Sequence, residues 1–180
     1  MPTPTVLALL AEGFEETEFV APVDLLRRAG AEVTSAALVA MHVTGRSGIT
    51  LHADAVLSTL DTVDFDCVLL PGGAGVTHLR ADPRVRQRIQ RQSSAGGWIA
   101  AICAAPLVLR DAGVLDGRRF TAHFSVAHEL PGALLDERVV VDGRLITSRG
   151  AGTSLDFGLA VVGHLFSAAK QDEVARGISA

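Results

Sequence analysis

Trp98-Ile99-Ala100-Ala101-Ile102-Cys103-Ala104-Ala105-Pro106 is the stretch on which the fold turns. Ile99 to Ile102 carry no polar side-chain atom, the pattern of a short strand buried on both faces. Cys103 follows at once, and Ala104-Ala105-Pro106 open a helix with side chains small enough to leave space beside the sulfur. The reading is a sharp strand-to-helix turn with a thiol at its apex. Unpaired N–H groups and the dipole at a helix N-terminus favour a thiolate there. The geometry is that of a nucleophile elbow, although the Gly-x-Ser-x-Gly pattern is absent.

Working outward, Val6–Leu10 and Asp66–Leu70 are buried strands of the same kind. Glu16–Ala29 reads as a helix with Phe19, Val20, Val23, Leu26 and Ala29 on one face and Gly30 as its C-cap. Asp82 caps a second helix, Pro83–Ser94, with Pro83 at its first position. Ala104–Ala112, Thr153–Ala169 and a short segment around Asp172–Gly177 complete the expected helices. Further strands are expected at Glu32–Leu38, Arg119–Ala122, Arg138–Val141 and Leu145–Ser148, with Asp142-Gly143 as the hairpin turn between the last two. Met41–Leu57 alternates around Gly45–Gly48 and suggests a small hairpin. Strands alternating with helices predict one α/β domain over residues 1–180, a flavodoxin-like doubly wound sandwich with a mostly parallel central sheet.

Hydrophobic residues make up 48% of the 180, enough for a large core, and the net charge of −4 gives no footprint for nucleic acid. Arg84, Arg88 and Arg91 are spaced as a solvated helix face. Met1-Pro2-Thr3-Pro4 lacks the basic start of a secretory signal, and no run reaches membrane-spanning length, so a cytoplasmic protein with no membrane partner is expected. Two cysteines cannot build a disulfide scaffold, and Cys67, inside a strand, is expected to be structural.

In doubly wound sheets the working residues gather at the carboxyl ends of the strands. Three loops fall there: Glu12–Glu18, Pro71–Gly75 and Cys103–Pro106. Glycines in Pro71-Gly72-Gly73 allow backbone N–H groups to approach an oxyanion closely. No phosphate loop or dinucleotide fingerprint is present. Acidic side chains in a first helical turn commonly just answer the dipole. Glu18, however, is pressed between the helix and the sheet, where a carboxyl holds its proton and can donate it to a sulfur or an oxyanion. His123 lies at a strand end and is a candidate base or acid. His42, His52, His78, His128 and His164 share no ligand spacing, so no metal site and no cofactor are expected.

Taken in order, Gly13-Phe14-Glu15-Glu16-Thr17-Glu18, Pro22–Gly30, Leu69-Leu70-Pro71-Gly72-Gly73, Ala100–Pro106 and Thr147–Ser154 resemble the ThiJ/PfpI superfamily. The closest fit is its glyoxalase III-like branch, which contains the parkinsonism-associated deglycase. The resemblance spans nearly the whole chain and implies a flavodoxin-like homodimer. It makes Cys103 the reactive cysteine and Glu18 the protonated glutamate that bonds its sulfur. Gly72, Gly73 and Ala104 become the N–H groups around the substrate oxygen, with His123 as the family histidine, Asp24 as its orienting partner and Glu15 in support. Arg28 would approach the pocket from the partner subunit. Two departures stand out: Ala104 replaces the histidine of the peptidase-like branch, and Arg46 is offset by one from an arginine of the deglycase branch. Phe124-Ser125 also differ from the usual proline-containing stretch.

The activity implied is a cysteine-dependent, cofactor-independent glyoxalase or deglycase acting on small 2-oxoaldehydes or early glycation adducts. The alternative is an oxidative-stress sensor or protective chaperone-like protein using the same sulfur. An amidotransferase-like hydrolase or peptidase is a weaker reading.

Overall fold

The structure is a computed structural model that describes residues 2–180. In chain order it runs β1 (Thr5–Leu10), α1 (Glu16–Ala29), β2 (Glu32–Ala37), β3 (His42–Thr44), β4 (Thr50–His52), β5 (Ala55–Val56) and β6 (Cys67–Leu70). There follow α2 (Val76–Ala81), α3 (Pro83–Ser94), β7 (Trp98–Ile102), α4 (Pro106–Asp111), β8 (Val139–Asp142), β9 (Leu145–Ser148), α5 (Ser154–Leu165) and α6 (Ala168–Gly177).

Seven strands form one sheet in the order β5-β2-β1-β6-β7-β9-β8, parallel throughout except for the β8–β9 hairpin. The apolar runs are continuous because both faces are covered. Leu7, Leu9, Val68, Leu70, Ile99 and Ala101 pack beneath α2, α3 and α4. The alternate residues Val6, Ala8, Leu10, Cys67, Leu69, Ala100 and Ile102 pack beneath α1, α5 and α6. This is the doubly wound architecture expected. The winding direction reverses between β1 and β6, and a crevice opens at the carboxyl ends of strands beside such a reversal.

Several elements differ from expectation. Arg119–Ala122 is not a strand and joins neither β9, which has β7 and β8 on its two edges, nor the outer edge of β8. The segment is tied down by side chains instead: Thr121 N donates to Thr147 Oγ1 at 2.9 Å, and Thr121 Oγ1 donates to Glu137 O at 3.1 Å. The apolar stretch Thr153–Ala169 is broken at Phe166. Ser167 there accepts from Lys170 N at 3.2 Å and starts α6. Helix α4 begins at Pro106 rather than Ala104. Helix α2 carries too little periodicity in six residues to be read from sequence. Arg88 is not solvated but only 5% exposed; its guanidinium bonds the carbonyls of Leu60 and Val63 beside the Phe65 ring. Among the described residues no helix is long and apolar enough to cross a membrane.

Candidate active site

Cys103 follows the last residue of β7 with φ +65, a left-handed conformation that costs an L-residue about 1–2 kcal/mol. Its backbone is held there from both sides. Cys103 N donates to Ser148 O at 2.9 Å, and Cys103 O accepts from His123 N at 2.9 Å. The sulfur is therefore aimed off the sheet by geometry rather than by a helix beneath it. Ala105 is the N-cap of α4, so the helix proper starts three residues after Cys103. The N–H groups that do reach the sulfur are those of Gly73 and Ala104.

Glu18 arrives from the opposite wall. Glu15 caps α1 by accepting from Glu18 N at 2.8 Å, which fixes the first helical turn and turns Glu18 inward. At 1% exposure, Glu18 accepts from Gly72 N at 2.8 Å through Oε2 and faces the Cys103 side chain across Gly72. Gly72 has to be glycine, since a Cβ there would lie 2.6 Å from both Cys103 Cβ and Glu18 Oε2. Gly73, at φ +87, bridges to Phe14 and closes the Pro71–Gly75 loop against the acidic loop.

The electrostatics follow from this contact. Burial, reinforced by the charge of Glu15, pushes the Glu18 carboxyl up to about 7, although the Cys103 hydrogen bond, Gly72 N–H and the charge of Arg46 pull the other way. Burial also pushes the Cys103 thiol up to about 12, and the charge and hydrogen bond of Glu18 add to the shift against the pull of Gly73 and Ala104. Carboxyl and thiol titrate as a pair, holding two protons between them below about 7 and one above it. Moving that proton from sulfur to Glu18 creates the nucleophile and removes the neighbouring negative charge in one step. Cys67 is fully buried in β6, and burial pushes its thiol far above the usual range.

His123 caps a short 3-10 turn, with its Nδ1 at 2.8 Å from Ser125 Oγ. A Cβ on Gly150 would sit 3.2 Å from His123 Cδ2 and 3.9 Å from Glu18 Oε1. Gly150 thus lets imidazole and carboxyl approach one space, a role the sequence alone did not reveal. The wall beyond it borders a cavity of about 490 Å³ lined by His123, Phe124, Leu135, Arg149, Gly150 and Thr153. A larger cavity, about 740 Å³, lies away from Cys103 between Leu38–Ala40 and the start of α3.

The DJ-1/PfpI family profile matches residues 4–164. The chain belongs to the DJ-1/PfpI family. It is 40% identical to Protein dj-1beta of Drosophila melanogaster over 97% of this chain and 96% of that one. The crystal structure of Drosophila DJ-1beta superposes with a TM-score of 0.96 at 39% identity, covering 98% of each chain. Two relatives carry activities in their names, each at 33% identity. The glutathione-independent glyoxalase DJR-1.2 of Caenorhabditis elegans is matched over 87% of this chain and 86% of its own. The deglycase TK1284 of Thermococcus kodakarensis is matched over 82% of this chain and 90% of its own.

Not every residue drawn from the DJ-1/PfpI resemblance meets at the sulfur. Asp24 Oδ2 accepts from Arg28 Nε at 2.7 Å on the half-exposed side of α1, so within the chain Asp24 bonds Arg28 and not His123. Arg28 likewise points outward. Arg46 is better placed than its offset suggests, because its charge bears on Glu18. Its backbone is fixed by Arg46 N donating to Phe14 O at 2.9 Å. Glu16, one of the acidic residues of the first helical turn, is buried and anchors the β3–β4 tip by accepting from Ser47 N at 2.7 Å. Burial pushes its carboxyl up, but its own N–H and those of Ser47 and Ile49 outweigh burial and hold it below the usual range.

Proposed function

We propose that the chain is a cysteine-dependent, cofactor-independent glyoxalase or deglycase that acts on 2-oxoaldehydes such as methylglyoxal, or on early glycation adducts. The observation that carries this reading is the meeting of the buried Glu18 carboxyl and the Cys103 side chain across Gly72, beside the Gly73 and Ala104 N–H groups. The names of the DJ-1/PfpI relatives support it.

In the first step the Cys103 sulfur bonds to the aldehyde carbon while its proton passes to the Glu18 carboxylate. The carbonyl oxygen takes the negative charge within reach of the Gly73 and Ala104 N–H groups, then a proton, giving a hemithioacetal. Glu18 and His123 next remove the proton from the aldehyde carbon and return one to the adjacent carbon through an enediol, leaving a thioester. Water cleaves the thioester, releasing the 2-hydroxy acid and restoring the thiol. The sequence is redox-neutral overall: one carbon is oxidised, its neighbour reduced, and one water consumed. On an early glycation adduct the Cys103 sulfur displaces the amine or thiol from the carbinol carbon, the leaving group takes the thiol's proton by way of Glu18, and the resulting hemithioacetal continues to the hydroxy acid by the same steps.

The test is conversion of methylglyoxal to lactate by purified protein in the absence of glutathione, compared with Cys103→Ala. Loss of activity in the variant is expected; equal rates would end the proposal.

A second reading is favoured by one contrast: Cys103 is partly exposed and hydrogen-bonded, whereas Cys67 is sealed in the core. Oxidation of Cys103 to a sulfinate, held by the Glu18 hydrogen bond, would make the same site a redox sensor. We also propose a homodimer, as the resemblance implies. Val20 on α1 is 46% exposed and Ile49 at the β3–β4 tip is 56% exposed, large apolar groups on either side of buried Glu16. A cytoplasmic location remains part of the proposal.

A further inference from the structure

Strand pairing places two histidines together that sequence spacing keeps ten positions apart. In the β3–β4 hairpin His42 stands directly opposite His52, with Val43 opposite Leu51 and Thr44 opposite Thr50. Ala53 N donates to Met41 O at 2.7 Å and Gly45 N to Ile49 O at 2.9 Å, so the hydrogen-bonded rungs are the odd-numbered ones on β3. His42 and His52 therefore occupy a rung without backbone bonds, where facing side chains come closest. Their ring centroids are 4.7 Å apart with planes at 85°. Both are exposed, on the same face as the Thr44 and Thr50 hydroxyls, while Val43 on the other face is buried. Among the described residues, hydrogen bonds engage the rings of His123 and His164 and leave those of His42 and His52 free.

We infer that His42 and His52 form a two-point chelate for a divalent transition-metal ion of the imidazole-preferring kind, Ni(II) or Cu(II). Neutral imidazole is the common nitrogen ligand for these ions, and affinity among divalent first-row metals rises through nickel to copper. Among the described residues no group of three or more His, Cys, Asp and Glu side chains is poised to hold an ion. The chelate thus leaves its remaining positions to water, which suits these two ions better than a closed tetrahedral zinc site. Both side chains rise from neighbouring strands rather than from a loop, so the backbone register holds the two rings within reach of one ion.

Metal would act on the hairpin as a clip. Two strands of three residues make a sheet that is marginal by itself. The tip of this hairpin is where Ser47 N holds Glu16 and where Arg46 N bonds Phe14 O, one rim of the Cys103–Glu18 site. A bond across the His42–His52 rung therefore stiffens that rim. The inference does not depend on what Cys103 catalyses.

The probe is NiCl2, titrated calorimetrically into the full-length protein and into Cys103→Ser, His42→Ala, His52→Ala, the double histidine variant and His78→Ala as an exposed control. Binding should be the same in the parent, Cys103→Ser and His78→Ala, and weaker by at least about tenfold in either single His42 or His52 variant. The double variant should lose the binding altogether. Cu(II) added to Cys103→Ser should give an electron paramagnetic resonance signal split by two nitrogens, reduced to one in each single variant. Saturating Ni(II) should slow amide exchange at Gly45 and Ala53 in the parent and not in the double variant. Single variants that bind like the parent would overturn the inference, as would binding that vanishes with Cys103→Ser.

Discussion

Replacing Glu18 with glutamine should make the protein more stable and less active, with the stability gain confined to one side of a pH window. An ordinary glutamate has a pKa near 4.5, and in the fold Glu18 is pushed up to about 7. A raised carboxyl binds more protons folded than unfolded, so stability is undiminished below about 4.5, falls as pH rises, and reaches its full loss above about 7. Integrating between those values, the parent forfeits about 2 kcal/mol at pH 6 and about 3 kcal/mol at pH 8. Glutamine is uncharged and still accepts from Gly72 N, the bond Glu18 makes at 2.8 Å. Urea unfolding at pH 4.5, 6 and 8 in reductant should show no gap at the lowest pH and a gap approaching these figures at the highest. For a chain of this size the pH 8 gap corresponds to about 6–12 °C in Tm. Turnover of methylglyoxal should fall by about 10²–10⁴, because the thiol loses its proton acceptor. Parent activity should rise through pH 7 as the thiol–carboxyl pair sheds the first of its two protons and Glu18 becomes able to accept the one on sulfur. A Glu18→Gln protein no more stable than the parent at pH 8 would refute the raised carboxyl and the proton-sharing scheme with it.

Gly72→Ala should cost about 1–3 kcal/mol in chemical denaturation and most of the activity, since its Cβ would press 2.6 Å from Cys103 Cβ and Glu18 Oε2. Stability and turnover equal to the parent would show that the loop moves aside freely. Under mild peroxide, mass spectrometry should find oxygen on Cys103 while Cys67 remains reduced; modification of Cys67 first would contradict the burial of that strand. Sedimentation at micromolar concentration should give a dimer, and Val20→Glu should shift it toward monomer by placing a charge in an apolar contact. A parent that sediments as monomer would remove the dimer proposal and any role for Arg28 across it.

The strands were legible where they lie at the centre of the sheet. Val6–Leu10 and Ile99–Ile102 are buried on both faces, and uninterrupted apolar side chains record that directly. Arg119–Ala122 misled because its composition suits a strand, while its Thr121 groups are taken up by the Thr147 side chain and the Glu137 carbonyl rather than by a strand ladder. The break at Phe166–Ser167 was hidden for a different reason: apolar periodicity runs through it, and only the Ser167 cap marks a new helix. In the site, Cys103 and Glu18 stood out by context. The pairing of Asp24 with Arg28 follows from their i,i+4 spacing on α1, whereas the burial of Glu16 and the clearance at Gly150 had no local signal.

What the chain determines by itself is the class of fold and the candidates for its chemistry, because apolar period, turn residues and a thiol after a buried strand are properties of consecutive residues. What tertiary structure alone decides is protonation and company. Glu18 and Cys103 are 85 positions apart in numbering, and only the close approach of α1 to the end of β7 lifts both their pKa values and makes them share a proton. His42 and His52 likewise become neighbours through strand register. Such properties depend on distance and on water excluded between groups, and neither is written in any short stretch of sequence.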